Sequence, residues 1–315
     1  MNTSTQNKPH VLGIVGATAS AKTTLSLPLA QALNCEIVCM DSMQIYRRMD
    51  IGTAKPTADE RALIPHHMLD IVEPTEPFSV AQYVEQARAV IADIVHRGRV
   101  PMLVGGTGLY LQGLTLPMDY GGLPSDPAIR KRLTEQAERE GAASMHARLA
   151  AVDPPAAARL HPNDQRRVIR ALELYEATGR KMSEERISAR AAEPPYRSLC
   201  LCLTCRDRAA LYDRIGRRVD LMVKNGVLDE AKQVYDHRES YRTAAQAIGY
   251  KEFFPYFEGT APLEECTEKL KQATRNYAKR QLTWFRRQND AVWLYIDEEN
   301  VIERACSLVR EFLQN

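Results

Sequence analysis

The sequence lacks any apolar run that approaches the roughly 18 residues of a membrane-spanning helix, which argues against an integral membrane protein. It also has little net charge, because 42 basic residues face 40 acidic ones and the formal balance is +2. Any attraction to a polyanion must therefore come from local basic patches. The first ten residues are polar and contain no apolar core of a secretion signal, so we do not expect secretion.

The seven cysteines are an odd number in a chain of 315 residues, which favours reduced thiols over a disulfide framework. A composition of 44% hydrophobic and 26% charged residues excludes wholesale disorder. We therefore expect a cytoplasmic globular protein. Its length fits about two domains, or one large α/β unit that carries an insertion.

Three short, mostly apolar runs are typical of buried parallel strands: residues 11–15, 36–40 and 100–104. Helical periodicity lies between them, over residues 23–33 and over the strongly amphipathic residues 80–97. This alternation predicts an α/β fold with a parallel sheet wound with helices. Such sheets bind ligands at the carboxyl ends of their strands.

The composition changes near residue 116, after which the chain is mostly helical and rich in Ala, Arg and Glu. Residues 197–205 alternate enough to form a further strand, and the remainder is predicted to be mostly helical. We therefore expect a core built from residues 1–115 and 196–315, interrupted by a mainly helical insertion of residues 116–195.

A phosphate-binding loop is predicted at residues 16–23, GATASAKT. The pattern G-x-x-x-x-G-K-[ST] is met at Gly16, Lys22 and Thr23, whereas Ala21 replaces its second glycine. The backbone N–H groups of such a loop and the N-terminus of the helix that follows hold an oligophosphate. Lys22 would bind phosphate oxygens, and the Thr23 hydroxyl would hold Mg²⁺. The predicted diphosphate-binding residues are Gly16, Ala17, Thr18, Ala19, Ser20, Ala21, Lys22 and Thr23.

Ala21 would be strained by about 1 kcal/mol or more if the loop needs a positive φ there. We predict that Ala21→Gly tightens the binding of pyrophosphate or nucleotide.

The second predicted strand ends in Asp41, beside the predicted phosphate site. Its carboxylate could hold Mg²⁺ through water, act as a general base, or cap a turn. Three residues later, the amide of Gln44 could pair with an adenine edge.

Eight segments carry a family resemblance in their order and spacing. They are GATASAKT (16–23), DSMQIYRRMDIGTAKP (41–56), PHHMLDI (65–71), FSVAQY (78–83), GGTGLYLQGL (105–114), HPNDQRRVIRALE (161–173), AIGYKE (247–252) and TRNYAKRQLTWFR (274–286). The set resembles the bacterial tRNA dimethylallyltransferase (isopentenyltransferase) family from residue 11 to about 287. The resemblance implies a P-loop-like core with a helical insertion. It also implies transfer of a dimethylallyl group from dimethylallyl diphosphate to N6 of adenosine 37, beside the tRNA anticodon, with release of pyrophosphate.

The same resemblance implies roles for individual residues. Lys22, Thr23 with Mg²⁺, and Arg217 would stabilise the departing pyrophosphate, and Asp41 would act as general base. The insertion would contact the tRNA anticodon stem-loop. The implied tRNA-binding residues are Asp41, Ser42, Met43, Gln44, Thr107, Gln165, Arg166, Arg167, Val168, Ile169, Gln246, Ala247, Ile248, Gly249, Tyr250 and Lys251. We expect a monomer that needs neither a protein partner nor a membrane.

Residues 269–287 contain seven basic residues, no acidic residue and three interleaved aromatic residues. Such a segment suits phosphate contacts and base stacking, although a solvated face with core aromatics is an open alternative.

The sequence departs from the usual family pattern of proline at position 17, arginine at 43 and glycine at 48, where it has Ala17, Met43 and Arg48. Three rival functions stay open: an adenylate isopentenyltransferase that acts on free nucleotide, a P-loop small-molecule kinase, and a non-catalytic RNA-binding protein. The long insertion and the basic C-terminal helices argue against the first, because a free nucleotide does not need them.

We expect no metal site at the adjacent His66 and His67, because neighbouring residues of a strand point to opposite faces. Nor do we expect zinc at Cys200, Cys202 and Cys205, because no second cysteine pair follows them.

Overall fold

A computed structural model describes residues 8–116, 126–191, 193–288 and 290–314. Of the polar first ten residues, only 8–10 therefore lie within the described part of the chain. The chain divides into two compact units. The first comprises Met1–Gln112 and Tyr196–Asn315, and the second comprises Gly113–Pro195.

The first unit is built on a parallel sheet, in which the strand pairs recorded are all parallel and the order is β3-β2-β4-β1-β5-β6. Its strands are β1 (His10–Gly16), β2 (Cys35–Met40), β3 (His66–His67), β4 (Val100–Gly105), β5 (Arg197–Thr204) and β6 (Ala291–Tyr295). The predicted α/β fold with a parallel sheet is confirmed. Because β2, β4 and β1 are neighbours, the carboxyl ends of the three strands predicted to border the ligand site lie side by side.

The helices are α1 (Lys22–Ala32), α2 (Ala58–Leu63), α3 (Val80–His96), α4 (Gly108–Thr115), α5 (Pro127–Val152), α6 (Pro154–Ala157), α7 (Gln165–Thr178), α8 (Met182–Ala191), α9 (Arg208–Lys224), α10 (Val227–Asp236), α11 (Phe254–Phe257), α12 (Leu263–Phe285) and α13 (Val301–Gln314). Short 3₁₀ turns occupy Ala244–Gln246 and Lys251–Phe253. Helices α5 to α8 belong to the second unit.

Local sequence signals account for several boundaries. Helix α3 begins with a capping box in which Ser79 and Gln82 satisfy each other's backbone N–H groups. It ends before Gly98, whose φ of 71° is a conformation that favours glycine. Helix α1 continues through Pro28, where the sequence predicts weakening, so the proline is accommodated at the loss of one helical hydrogen bond. Strand β6 was not predicted, and β3 was assumed at His66 and His67 but not recognised as part of the sheet.

Each unit has its own apolar core. In the first, buried side chains of β1, β2 and β5 pack against α1 and α13, with Leu12, Ile14 and Ile37 almost fully buried. In the second, α5 and α7 pack through Leu133, Leu149 and Leu172, among others. Burying a Leu or Ile side chain stabilises a fold by about 1.5–3 kcal/mol, so these clusters carry much of the stability of each unit.

Within the described ranges, no helix combines the length and the apolar composition needed to cross a membrane. All seven cysteines have free thiols.

Candidate active site

The segment of residues 16–23 forms a tight loop between β1 and α1. Gly16 has a φ of 148°, and a Cβ there would lie 2.4 Å from the backbone oxygen of Leu203. Only glycine therefore fits the start of the loop. The Lys22 ammonium donates hydrogen bonds to the backbone oxygens of Gly16 at 3.2 Å and Ala17 at 2.8 Å. Ala21 immediately precedes α1 with φ 58° and ψ 31°, the left-handed conformation that the missing glycine of the pattern would adopt without strain.

A second position with a departure from glycine, Arg48, has the same left-handed backbone conformation as Ala21. Arg48, at the position where the resembling family usually has glycine, also has a left-handed backbone, with a φ of 60°. Its guanidinium pairs with Glu73 at the surface. Both departures from glycine therefore lie at positions where glycine is favoured.

Asp41 follows the end of β2, in the cleft that the phosphate loop also borders. Its Oδ1 accepts hydrogen bonds from the backbone N–H of Met43 at 2.9 Å and of Gln44 at 3.4 Å. Oδ2 has no hydrogen-bond partner among the described residues, so it is free to accept a proton. Asp41 therefore caps the turn through Oδ1, and Oδ2 remains available for a chemical role.

The charges around Asp41 and Lys22 perturb both groups. Burial raises the pKa of Asp41, and the N–H of Met43 and the nearby Lys22 partly oppose that shift. Burial, with a smaller effect of the Arg218 guanidinium, lowers the pKa of Lys22 to about 8. A carboxylate with a raised pKa and an amine with a lowered one, in one cleft, are typical of a catalytic site.

Arg218, which sequence reasoning missed, is the α9 arginine that interacts electrostatically with both Lys22 and Asp41. Four residues earlier on the same helix face, Arg214 donates from Nε to the backbone oxygen of Ala19 at 2.9 Å. Arg217 borders the cleft too, but its side chain is 71% exposed and pairs with Asp213. Successive residues of α9 are rotated by about 100° around the helix axis, so Arg217 and Arg218 cannot both face the loop.

Gln44 is placed by the loop that follows it. Its Nε2 donates to the backbone oxygens of Thr53 and Ala54, both at 3.0 Å, and its Oε1 accepts from the Cys39 thiol at 3.0 Å. An adenine contact, as the resemblance implies, would have to replace these bonds. The implied role stays a prediction.

The same loop is anchored by Lys55, a second residue that sequence reasoning missed. Its side chain is 1% exposed. The ammonium donates to Tyr46 O at 2.5 Å, Asp50 Oδ1 at 2.7 Å and Asp70 Oδ1 at 2.5 Å. This network ties residues 46–55 to Asp70, and it thereby holds the backbone oxygens of Thr53 and Ala54 that orient Gln44. No local pattern could have revealed it, because Asp70 is distant in sequence.

Thr107 links the ends of β2 and β4. Its N–H donates to Met40 O at 3.1 Å, and its Oγ1 accepts from the N–H of Ser42 at 3.1 Å. The approach requires glycine at 105, where a Cβ would lie 2.1 Å from Met40 O. The three predicted groups Asp41, Ser42 and Thr107 are thus brought together.

The remaining predicted tRNA-binding residues divide by exposure. In the first unit, Gln246 and Lys251 are exposed and Ile248 is half-buried, whereas Ala247, Gly249 and Tyr250 are buried. The Tyr250 ring packs against Gly52, and its hydroxyl donates to Glu230. This makes Tyr250 a support for the 50–55 loop, and a side-chain contact with tRNA would require it to leave the core.

In the second unit, Gln165, Arg166 and Arg167 are exposed at the start of α7, whereas the side chains of Val168 and Ile169 belong to that unit's core. Side-chain contact with tRNA is therefore open only to the first three.

Helix α12 and the two residues that follow it present cationic side chains to solvent. Lys279, Arg280, Arg286 and Arg287 are exposed and form no ion pair with any described residue. Lys269 and Lys271, in contrast, are paired with acidic residues. Unpaired surface cations are what a polyanion contacts.

No group of three His, Cys, Asp or Glu residues in the described ranges is arranged to hold a metal ion. His66 Nδ1 bonds to Ile64 O at 2.7 Å, and His67 Nε2 bonds to Glu36 Oε2 at 2.6 Å. The two histidines thus make separate contacts.

The candidate active site lies in one cleft of the first unit, which has a volume of about 1330 Å³. The phosphate loop, Asp41, the arginines of α9 and Tyr277 of α12 all border it. The cleft is cationic around Lys22 and Arg218, and the Asp41 carboxylate beside them has an oxygen, Oδ2, that no described residue hydrogen-bonds. This arrangement can hold an anionic group and remove a proton next to it.

Comparisons with known proteins agree with the geometry. The IPP transferase family matches residues 44–288, more than half of the chain, and the isopentenyl transferase family matches residues 9–67. A tRNA dimethylallyltransferase of Bacillus subtilis (strain 168) is 48% identical over 286 residues, covering 91% of this chain and 90% of the relative.

Solved structures extend the likeness. A full-length tRNA isopentenylpyrophosphate transferase from Bacillus halodurans is 43% identical, with a TM-score of 0.72 over 98% of this chain and 97% of that one. A eukaryotic dimethylallyltransferase acting on tRNA is 32% identical, with a TM-score of 0.83 over 98% of this chain and 80% of that one. The chain belongs to the tRNA dimethylallyltransferase (IPP transferase) family.

Proposed function

We propose that the protein transfers a dimethylallyl group from dimethylallyl diphosphate to N6 of adenosine 37 in tRNA and releases pyrophosphate. One observation carries this proposal: a cationic phosphate loop and a carboxylate with a free oxygen border the same cleft at neighbouring strand ends. The geometry alone would suit other pairs of an anionic substrate and an amine substrate. The family membership supports a prenyl diphosphate as the anion and a tRNA as the source of the amine.

The phosphate loop binds the diphosphate. Lys22 and Arg218 bring positive charge to the oxygens that gain negative charge as the C1–O bond breaks. The Ser20 hydroxyl is buried and has no hydrogen-bond partner among the described residues, so the loop holds an unused polar group. Stabilising the charge that develops on a leaving group is usually the largest contribution to such catalysis.

The residues present fit Mg²⁺ at Thr23. Its side chain lines the cleft, and its hydroxyl makes no hydrogen bond to a described residue. A single protein oxygen suits Mg²⁺, which keeps several waters and is often completed by substrate phosphates. When bound there, Mg²⁺ would neutralise part of the charge on the diphosphate.

Asp41 accepts the proton. The electron pair of the broken C1–O bond leaves with pyrophosphate, N6 of the adenine forms the new bond to C1, and an N6 proton passes to Oδ2 of Asp41. A raised pKa makes this carboxylate a better base than an ordinary aspartate. The adenine amine needs that help, because its lone pair is delocalised into the ring.

The tRNA is held by cationic side chains in both units. The exposed cations of α12 and the Gln165, Arg166 and Arg167 group of α7 are the surfaces that support this part of the proposal. The target base must leave its stack to enter the cleft, which costs less in an anticodon loop than in a duplex. We also propose that the enzyme is monomeric and cytoplasmic.

Incubation of the purified chain with unmodified tRNA, dimethylallyl diphosphate and Mg²⁺ tests the proposal. Mass analysis of the tRNA nucleosides should show one added dimethylallyl group on adenosine, with one pyrophosphate released for each. Parallel reactions hold AMP in place of tRNA, or ATP without tRNA. Modified AMP with unmodified tRNA would support an adenylate isopentenyltransferase, ATP turnover would support a kinase, and tRNA that is bound but unmodified would support an RNA-binding protein.

A further inference from the structure

Gln281 of α12 joins two loops of the candidate active site. Its Oε1 accepts a hydrogen bond from the N–H of Thr18 at 2.9 Å, and its Nε2 donates to Gly106 O at 3.0 Å. Only 6% of the residue is exposed. One buried amide therefore spans the phosphate loop after β1 and the turn after β4, with both ends of the amide in use.

The sequence of the turn fits this amide. A Cβ at position 106 would lie 2.1 Å from Gln281 Nε2, so the absence of a side chain at Gly106 is what lets the amide reach the backbone oxygen. The second glycine of the GGTG segment is thus explained by Gln281. No contact with phosphate is needed to explain this glycine.

The neighbouring side chains of α12 cover the same turn. Tyr277, one helical turn before Gln281, interacts with the side chains of Thr107 and Gln281. Trp284 covers Gly108, where a Cβ would lie 2.2 Å from the indole ring. Because Thr107 Oγ1 accepts from the N–H of Ser42, a continuous set of contacts runs from the phosphate loop through α12 to the residue after Asp41.

We propose that Gln281 is a positioning residue that fixes the phosphate loop relative to the Asp41 side of the cleft. Both polar atoms of its amide are bonded to the backbone, so it acts through Thr18 and Gly106. In the reaction proposed above, on which this inference rests, the two sides hold the leaving diphosphate and the base that accepts the proton. A displacement of one side by about 1 Å can slow such a reaction by about a hundredfold.

Gln281→Met tests the role, because methionine has a similar size and flexible end but can form neither bond. We expect kcat to fall by about tenfold to a hundredfold while the KM for tRNA changes by less than about twofold. Gln272→Met is the matched control, since Gln272 is an exposed glutamine on the same helix whose amide, among the described residues, contacts Asn276 and Arg275. The control should keep wild-type kinetics. A folded Gln281→Met enzyme with unchanged kcat would overturn the proposal.

Gly106→Ala provides a second route to the same change, because the added methyl group would displace the amide. In a double-mutant cycle, Gly106→Ala should slow the wild type but add little to Gln281→Met, since no amide is left to displace. Losses that multiply would show that the two positions act independently, and the inference would fail.

Calorimetric binding of inorganic pyrophosphate separates this inference from the proposed function. We expect Gln281→Met to weaken pyrophosphate binding by about fivefold or more, with Gln272→Met unchanged, because the loop loses its anchor at Thr18. If wild-type protein bound pyrophosphate but never modified tRNA, the proposed function would fail while this comparison still decided the role of Gln281. Equal pyrophosphate affinity in the wild type and Gln281→Met would count against the positioning role whether or not tRNA is modified.

Discussion

Replacing Ala21 by glycine should stabilise the protein. The φ of 58° and ψ of 31° place Ala21 in the left-handed region, which costs an L-residue with a Cβ about 1–2 kcal/mol. Glycine removes that strain but loses about 0.5–1 kcal/mol more conformational freedom on folding. The net gain therefore lies between about 0 and 1.5 kcal/mol, and the middle of that range corresponds to a rise in Tm of about 1–3 °C.

Thermal unfolding followed by circular dichroism measures this gain against a matched control. Ala89 is an exposed alanine inside α3, where glycine should instead lower stability by about 0.5–1 kcal/mol. The two Ala→Gly changes should therefore shift Tm in opposite directions. Arg48→Gly should follow Ala21→Gly, because its φ is also left-handed. A fall in Tm for Ala21→Gly as large as that for Ala89→Gly would refute the reasoning.

The same substitution should tighten pyrophosphate binding, by no more than the strain that it relieves. At 1 kcal/mol, this limit is about fivefold in Kd. Calorimetry with inorganic pyrophosphate measures the change. Weaker binding by the glycine variant would contradict a functional loop at residues 16–23.

Three further results are expected. First, kcat/KM should rise as pH increases through the raised pKa of Asp41, which must be ionised, and fall through the Lys22 pKa of about 8, since Lys22 must be charged to bind diphosphate. Lys22→Arg should remove the alkaline fall, and a wild-type profile that stays flat through pH 8 would contradict this assignment. Second, Arg218→Ala should weaken pyrophosphate binding more than Arg217→Ala does, as measured by calorimetry, and the reverse order would favour Arg217, which the resemblance implies. Third, hydrogen bonds from the Arg97 guanidinium hold the pKa of Glu36 at about 2, below the ordinary 4.5, so Glu36 stabilises the fold fully above about pH 4.5 and progressively less towards pH 2. Urea unfolding should show a deficit for Glu36→Gln at neutral pH that shrinks in acid, and a deficit independent of pH would exclude this linkage.

The sheet could be predicted where strands are continuous and buried. Every residue of β2 is buried, and β1 is buried after its first residue, so each leaves an apolar run that ends at a polar or glycine residue. Strand β3 has two residues and is half-buried, and β6 has one fully buried residue. Neither leaves a pattern that a single sequence reveals.

The residues of the candidate site also divide into those that the sequence predicts and those that it does not. The phosphate loop and Asp41 follow directly from their positions after β1 and β2, and both border the predicted cleft. The supporting residues depend on pairs that are distant in sequence, since Gln281 is 263 residues from Thr18. Their partners are defined only by the fold, so a local pattern can suggest the loop and Asp41 but cannot reveal the residues that hold them in place.

The Arg217 and Arg218 pair shows what a role implied by resemblance leaves open. Both arginines lie on α9 and differ by about 100° in direction, so only one can face Lys22. The structure gives that position to Arg218. The resemblance implies Arg217, the electrostatic contacts favour Arg218, and the calorimetric comparison of the two alanine variants decides between them.

Single-turnover transfer by enzyme saturated with tRNA and dimethylallyl diphosphate tests the central claim most directly. Asp41→Asn keeps the size of the side chain and its capping oxygen but is a far weaker base. We predict that this variant binds tRNA and pyrophosphate with wild-type affinity and transfers the dimethylallyl group at least about a hundredfold more slowly. Transfer within about threefold of the wild-type rate would contradict the account, because another group would then have to accept the N6 proton.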